Sequence, residues 1–120
     1  MQERPPLRPV HWMGDSLKVL RSFPDEAQDD IGHSLMIVQA GLMPLDAKPL
    51  KGVGSGVFEI VTRYDGDTYR KVYAIKIGRH IYVLHVFQKK SKSGIKTPQQ
   101  DIDLIVKRLK EAQRREGEQC

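Results

Sequence analysis

VFEIVTRYDGDTYRKVYAIKIGRHIYVLHVFQ, residues 57–88, decides the fold. Residues 57–64 and 69–77 are two strand-like runs rich in β-branched and aromatic residues. Asp65-Gly66-Asp67 lies between them, and an Asp-Gly step flanked by such runs is a hairpin signal. Gly78-Arg79 turns the chain again into residues 80–88 (HIYVLHVFQ). That last run is apolar on both faces, so it reads as a central strand covered from both sides. Three strands joined in succession by short turns make an antiparallel meander.

Working toward the N-terminus, residues 42–56 (LMPLDAKPLKGVGSG) read as a loop rich in Pro and Gly. Before it stands a helix. Ser22-Phe23-Pro24-Asp25-Glu26 is a start signal, with Pro in the first turn and acids at the positive end of the helix dipole. Ala27, Ile31, Leu35 and Val38 recur at helical spacing, and Gly41 is placed to stop the helix. Asp15 or Ser16 caps a shorter helix through Arg21. Residues 10–13 suit a short edge strand, because Pro9 cannot donate to a central ladder. Toward the C-terminus, Thr97-Pro98-Gln99-Gln100 combines a capping Thr, Pro at the first helical position and Gln at the third. Ile102, Ile105, Val106 and Leu109 then form one apolar face. The expected fold is α+β: a small antiparallel sheet (three-stranded meander plus a short N-terminal strand), two N-terminal helices and a C-terminal helix. One domain spans 1–120, with about 1–9 and about 115–120 expected to fray.

The chain has 120 residues, a single-domain size. No apolar run approaches the ~20 residues of a membrane span, and MQERPPLRP has no apolar segment of the secretory kind. The one cysteine, Cys120, cannot form an internal disulfide, so a reducing cytoplasm is expected. The histidines at 11, 33, 80 and 85 lack metal-ligand spacing, and no metal or cofactor is expected.

Charge is unevenly distributed. Residues 1–50 carry 5 Lys/Arg against 7 Asp/Glu, and residues 51–120 carry 15 against 8. Between Thr68 and Gln100 there are eight basic residues and no acid. A solvated basic face kept for solubility would look this way, and so would the footprint of a polyanion partner.

Metal-free RNA cleavage needs a base for the ribose 2′-hydroxyl, cations for the phosphorane and an acid for the leaving 5′-oxygen. Lys51, Arg70, Tyr73, His85, Lys89 and Lys90 lie close to the sheet and supply those groups. His85 alternates with Ile81, Val83, Phe87 and Lys89, and so shares a face with apolar residues. It reads as a satisfied core histidine, or as an acid–base group near the lysine-rich strand end. Arg70 reads as an ion pair with Glu59 across the hairpin or as a phosphate clamp. KGVGSG after Pro49-Leu50 has neither P-loop spacing nor a following helix, so its glycines read as a flexible connector. Neighbouring lysines disfavour one another's charge, which lets one titrate low enough to act as a base. Tyr64, Tyr69, Tyr73, Tyr82 and Phe87 offer core packing or base-stacking surfaces.

KPLKGVGSGVFEI, followed by YRKVYAIKIGRHIYVLHVFQKKSKSGIKTP, resembles the phage-derived HigB-like toxins of the RelE/ParE superfamily over about residues 10–112. The family's pattern is a Lys-Gly loop before a Glu-bearing strand, then "YR…YA", "LH-x-F-x-KK" and "K-TP" opening the last helix. The resemblance implies a RelE-like fold. It also implies the toxin of a type II toxin–antitoxin pair, a ribosome-dependent, metal-independent mRNA endoribonuclease. The implied partners are a helix-turn-helix (HigA-like) antitoxin, the ribosome and mRNA. Carried over by position, Lys51, Arg70 and Lys90 bind phosphate, and His85 or Lys89 transfers protons. Tyr73 stacks on a base or orients a phosphate, and Lys92 and Lys96 join the phosphate-binding set. Some relatives poison DNA gyrase instead, and a phage remnant that only binds nucleic acid is a further alternative.

Overall fold

The computed structural model describes residues 7–89 and 97–118, so Lys90, Lys92 and Lys96 lie outside the described residues. The elements in chain order are β1 (Val10–Trp12), α1 (Ser16–Arg21), α2 (Asp25–Gln39) and β2 (Lys48–Pro49), then β3 (Val57–Tyr64), β4 (Asp67–Ile77), β5 (His80–Lys89) and α3 (Gln99–Glu118). The sheet order is β1-β5-β4-β3-β2.

The meander forms as its turns dictate. Tyr64 pairs with Asp67, leaving Asp65 (φ 50°) and Gly66 (φ 83°) as the two turn residues. Two successive positive φ angles define a type I′ turn, whose twist matches that of the strands it joins. Gly78 (φ 58°) and Arg79 make the second turn, closed by the Ile77–His80 pair. Helix α2 begins with Asp25 and Glu26 in its first turn. It ends at Gly41 (φ 86°) in a Schellman motif: Leu42 N–H donates to Ile37 O at 3.1 Å and Gly41 N–H to Val38 O at 3.0 Å.

Two features depart from the expected sheet. The N-terminal strand pairs with β5 in parallel, Val10 opposite Ile81 and Trp12 opposite Val83, so the sheet is mixed rather than antiparallel. Parallel neighbours need a long connection, and here it is everything from α1 through β4. A fifth strand, Lys48–Pro49, pairs with β3 from within the expected loop. Residues 8 and 9, expected to fray, are tied to the opposite side of the sheet, beside β1. Arg8 Nη2 donates to Ile75 O at 2.7 Å and to His80 O at 3.1 Å, and Pro9 O accepts from Ile81 N–H at 2.9 Å. At the other end α3 continues to Glu118.

Helices cover both faces of the sheet. Ile31 and Leu35 of α2 share a core with Tyr69, Tyr73, Ile81 and Val86. Ile105 and Leu109 of α3 share another with Val72, Ala74, Tyr82 and Leu84. Each fully buried aliphatic side chain contributes about 1.5–3 kcal/mol. Strand parity therefore separates β4, as far as Ile75, into even residues facing α3 and odd residues facing α2; past the register shift after Ala74, Ile77 joins the α3-side core. In β5 the parity breaks. Tyr73 pairs with Val83 and Val72 with His85, leaving Leu84 as the extra residue of a β-bulge. The bulge brings Leu84 and His85 to the same α3-facing side, while Ile81 and Val83 go to the α2 side. The expectation that His85 shares a face with Ile81 and Val83 is corrected by that one residue. Among the described residues no helix is long and apolar enough to cross a membrane.

Candidate functional site

Arg70, His85 and Lys89 come together on the α3-facing side of the sheet. Arg70 pairs with Phe87, so it sits between the rung of His85 and the rung of Lys89. All three are buried, at 6%, 8% and 6% exposure. Buried ionisable groups need partners, and the fold brings them from both sides. Arg70 Nη1 lies 3.5 Å from Glu59 Oε2 and donates to Thr97 Oγ1 at 3.3 Å. The ion-pair reading of Arg70 is thus realised, inside the protein rather than at its surface. Burial pushes the Lys89 amine down from its usual range, and the Arg70 charge pushes it further. Glu59 and Asp101 pull it back. The stretch that has no acid in sequence is therefore answered in space by carboxylates from β3 and α3.

His85 is engaged at both ring nitrogens. Nε2 lies 2.8 Å from Asp101 Oδ1, and Nδ1 3.4 Å from Arg108 Nη1. Its ring stacks on Phe87 at 4.8 Å and 18°. Asp101 stands in the first turn of α3, where the dipole favours an acid. Arg108 also donates to Leu84 O at 3.0 Å and to Asp15 Oδ1 at 2.9 Å. That bond holds the Asp15 carboxyl below its usual range.

Other expected site residues fall elsewhere. Tyr73 is three residues from Arg70, an odd separation, and so faces α2. It is fully buried, its hydroxyl donates to Met43 Sδ at 3.8 Å, and its ring stacks on Phe58 at 6.0 Å. Burial pushes its hydroxyl up to about 12. Lys51 is exposed in the turn after β2. It lies toward the end of the sheet where Val57 meets Ala74, four rungs from Arg70, or about 13 Å of strand. Tyr69 packs edge-on against Phe23 at 4.7 Å and serves the core. Among the described residues no three His, Cys, Asp or Glu side chains gather as a metal site.

Reasoning from sequence missed Asp101, Arg108 and Lys71. Asp101 and Arg108 carry a faint signal: they are seven apart and flank Ile105 on the face that packs inward. Lys71 carries a clearer one, since it stands between Tyr69 and Tyr73 on the same face of β4. It is completely buried, its Nζ donates to Ile31 O at 3.2 Å, and burial pushes its amine down to about 7.

The fold is RelE-like. An E. coli RelE toxin mutant in the free state superposes with a TM-score of 0.59 at 16% identity, covering 86% of this chain and 98% of that one. The isolated E. coli RelE toxin gives 0.57 at 19% identity, with 85% and 98% covered. The chain belongs to the phage derived protein Gp49-like family, whose model matches residues 18–110. No curated protein matches it.

Proposed function

We propose that this chain is the toxin of a type II toxin–antitoxin pair and acts in the cytoplasm as a ribosome-dependent mRNA endoribonuclease. The observation that carries the reading is the convergence of Arg70, His85 and Lys89 on one side of the sheet. These groups suit cleavage by the adjacent 2′-hydroxyl without a metal. His85 takes the hydroxyl proton, O2′ bonds to phosphorus, and the P–O5′ bond breaks. The Lys89 ammonium protonates the leaving oxygen, and Arg70 holds the phosphorane charge. Arg70 would exchange Glu59 and Thr97 for phosphate, a stronger bidentate partner. Lys51, Lys90, Lys92 and Lys96 would bind flanking phosphates. The proposed inhibitor is a helix-turn-helix, HigA-like antitoxin.

The test is a reconstituted bacterial translation reaction in which mRNA 3′ ends are mapped with and without ribosomes. Cuts that need the ribosome and vanish in Arg70→Ala support the reading. Intact mRNA with translation still running sinks it. A gyrase supercoiling assay and salt-dependent RNA binding then separate a gyrase poison from a binding remnant.

A further inference from the structure

A single helix grips the imidazole of His85. Asp101 and Arg108 are seven residues apart on α3, two turns, so both project from one face. Ile105, buried between them, seats that face in the core. Asp101 Oδ1 approaches Nε2 at 2.8 Å and Arg108 Nη1 approaches Nδ1 at 3.4 Å. A carboxylate only accepts and a guanidinium only donates. A neutral imidazole has one N–H, and these two neighbours leave one consistent arrangement: hydrogen on Nε2, lone pair on Nδ1.

The seat of Arg108 is itself built. Leu84 O and Asp15 Oδ1 accept from its two terminal nitrogens at 3.0 and 2.9 Å. Gly14 (φ +55°) makes room, since a Cβ there would stand 2.5 Å from Nη2. The guanidinium therefore cannot drift without losing several partners at once.

We infer that Asp101 and Arg108 are positioning residues that hold His85 in the Nε2–H tautomer, leaving Nδ1 as the atom that accepts the proton of the attacking hydroxyl. The role in the last clause rests on the endoribonuclease reading; the tautomer does not. When Nδ1 is protonated, Asp101 remains on Nε2–H and stabilises the imidazolium, as a carboxylate does in Ser-His-Asp sites. The bond from Arg108 to Nδ1 is the longest of that arginine's contacts. At 3.4 Å it is the one contact the attacking hydroxyl has to displace at Nδ1, while Leu84 O and Asp15 keep the guanidinium in its seat.

Long-range proton–nitrogen NMR on the full ¹⁵N-labelled chain reads the tautomer, with His85→Gln to assign the ring. The wild-type spectrum, which needs no variant to fold, is expected to show the proton on Nε2. Asp101→Asn keeps the side-chain size, and its amide oxygen still accepts from Nε2–H. With Arg108 in place the ring proton is therefore expected to stay on Nε2 with the backbone spectrum retained. What the variant removes is the negative charge that stabilises the imidazolium, so cleavage should fall on the order of 100-fold in kcat, with KM within about 2-fold. Asp101→Glu should restore much of the rate. A wild-type proton on Nδ1 overturns the inference, and so does undiminished cleavage in Asp101→Asn. A wild-type chain with the proton on Nε2 that cuts no mRNA overturns the endoribonuclease reading and the role assigned to Nδ1, but leaves the tautomer standing.

Discussion

Replacing Lys71 with methionine should stabilise this protein at neutral pH. The amine lies in the α2-facing core, opposite Ile60 on β3 and Val86 on β5. Burial lowers its pKa from 10.5 to about 7. At about 1.4 kcal/mol per unit, keeping the charged form inside costs about 5 kcal/mol, and at pH 7 nearly all of that cost is present. The sign follows from the depressed value. Between pH 7 and 10.5 the unfolded chain binds a proton that the folded chain does not, so raising pH stabilises the fold. Below pH 7 the full penalty applies; above 10.5 it is gone. Methionine matches the length and removes the charge. It gives up the 3.2 Å bond to Ile31 O, worth about 1 kcal/mol. It also gives up the approach of Nζ to the Tyr73 ring at 5.3 Å, worth about 0.5–1 kcal/mol. The net gain at pH 7 is about 2–4 kcal/mol, shrinking with pH and reversing by about 1 kcal/mol above 10.5, where the neutral amine has only its hydrogen bond to lose. Urea unfolding of both chains from pH 6 to 11, followed by circular dichroism, measures this difference, and other titrations largely cancel in it. A Lys71→Met chain that is less stable at pH 7, or a gap that does not change with pH, would refute the burial argument.

Glu59→Gln should remove the carboxylate that answers Arg70, 3.5 Å away; fluorescence anisotropy should show single-stranded RNA bound several-fold tighter at low salt, with the advantage fading as salt rises. Gly14→Ala should lower the melting temperature, costing about 1–3 kcal/mol, because it strains a positive φ and drives a Cβ against Arg108. Tyr82→Phe should cost about 1 kcal/mol by removing the 2.6 Å bond to Glu116. Its effect should appear as faster amide exchange in the last turns of α3.

What could be read from the sequence was local. The Asp-Gly turn, the Pro24 and Pro98 helix starts and Gly41 as a helix stop each specify their own few residues, and they stand where expected. Non-local pairings carried no such mark. The edge strand Val10–Trp12 was legible as a strand, but nothing near it tells whether it will lie parallel to β5. Lys48–Pro49 is too short, and too burdened by its proline, to read as a strand at all. The bulge at Leu84 has no composition of its own, and period-two counting across it puts His85 among the wrong neighbours. Tyr73 shows the converse: its odd separation from Arg70 already placed it on the opposite side of the sheet, and motif position overrode that parity. The candidate cations were visible, but the acids opposing them were not. Glu59 and Asp101 approach only after a strand and a helix have folded over.

The parallel pairing of β1 with β5 also sets an order of assembly. Val10 leaves the ribosome well before its partner Ile81, by roughly 4 to 14 s at ordinary synthesis rates of about 5–20 residues per second. During that interval the N-terminal strand has no partner to pair with. Arg70, His85, Asp101 and Arg108 all follow the two early helices in sequence, and the helix that joins them comes after every strand of the sheet. A product of translation that stops before α3 therefore lacks Asp101 and Arg108, and it leaves His85 without the two side chains that engage its ring.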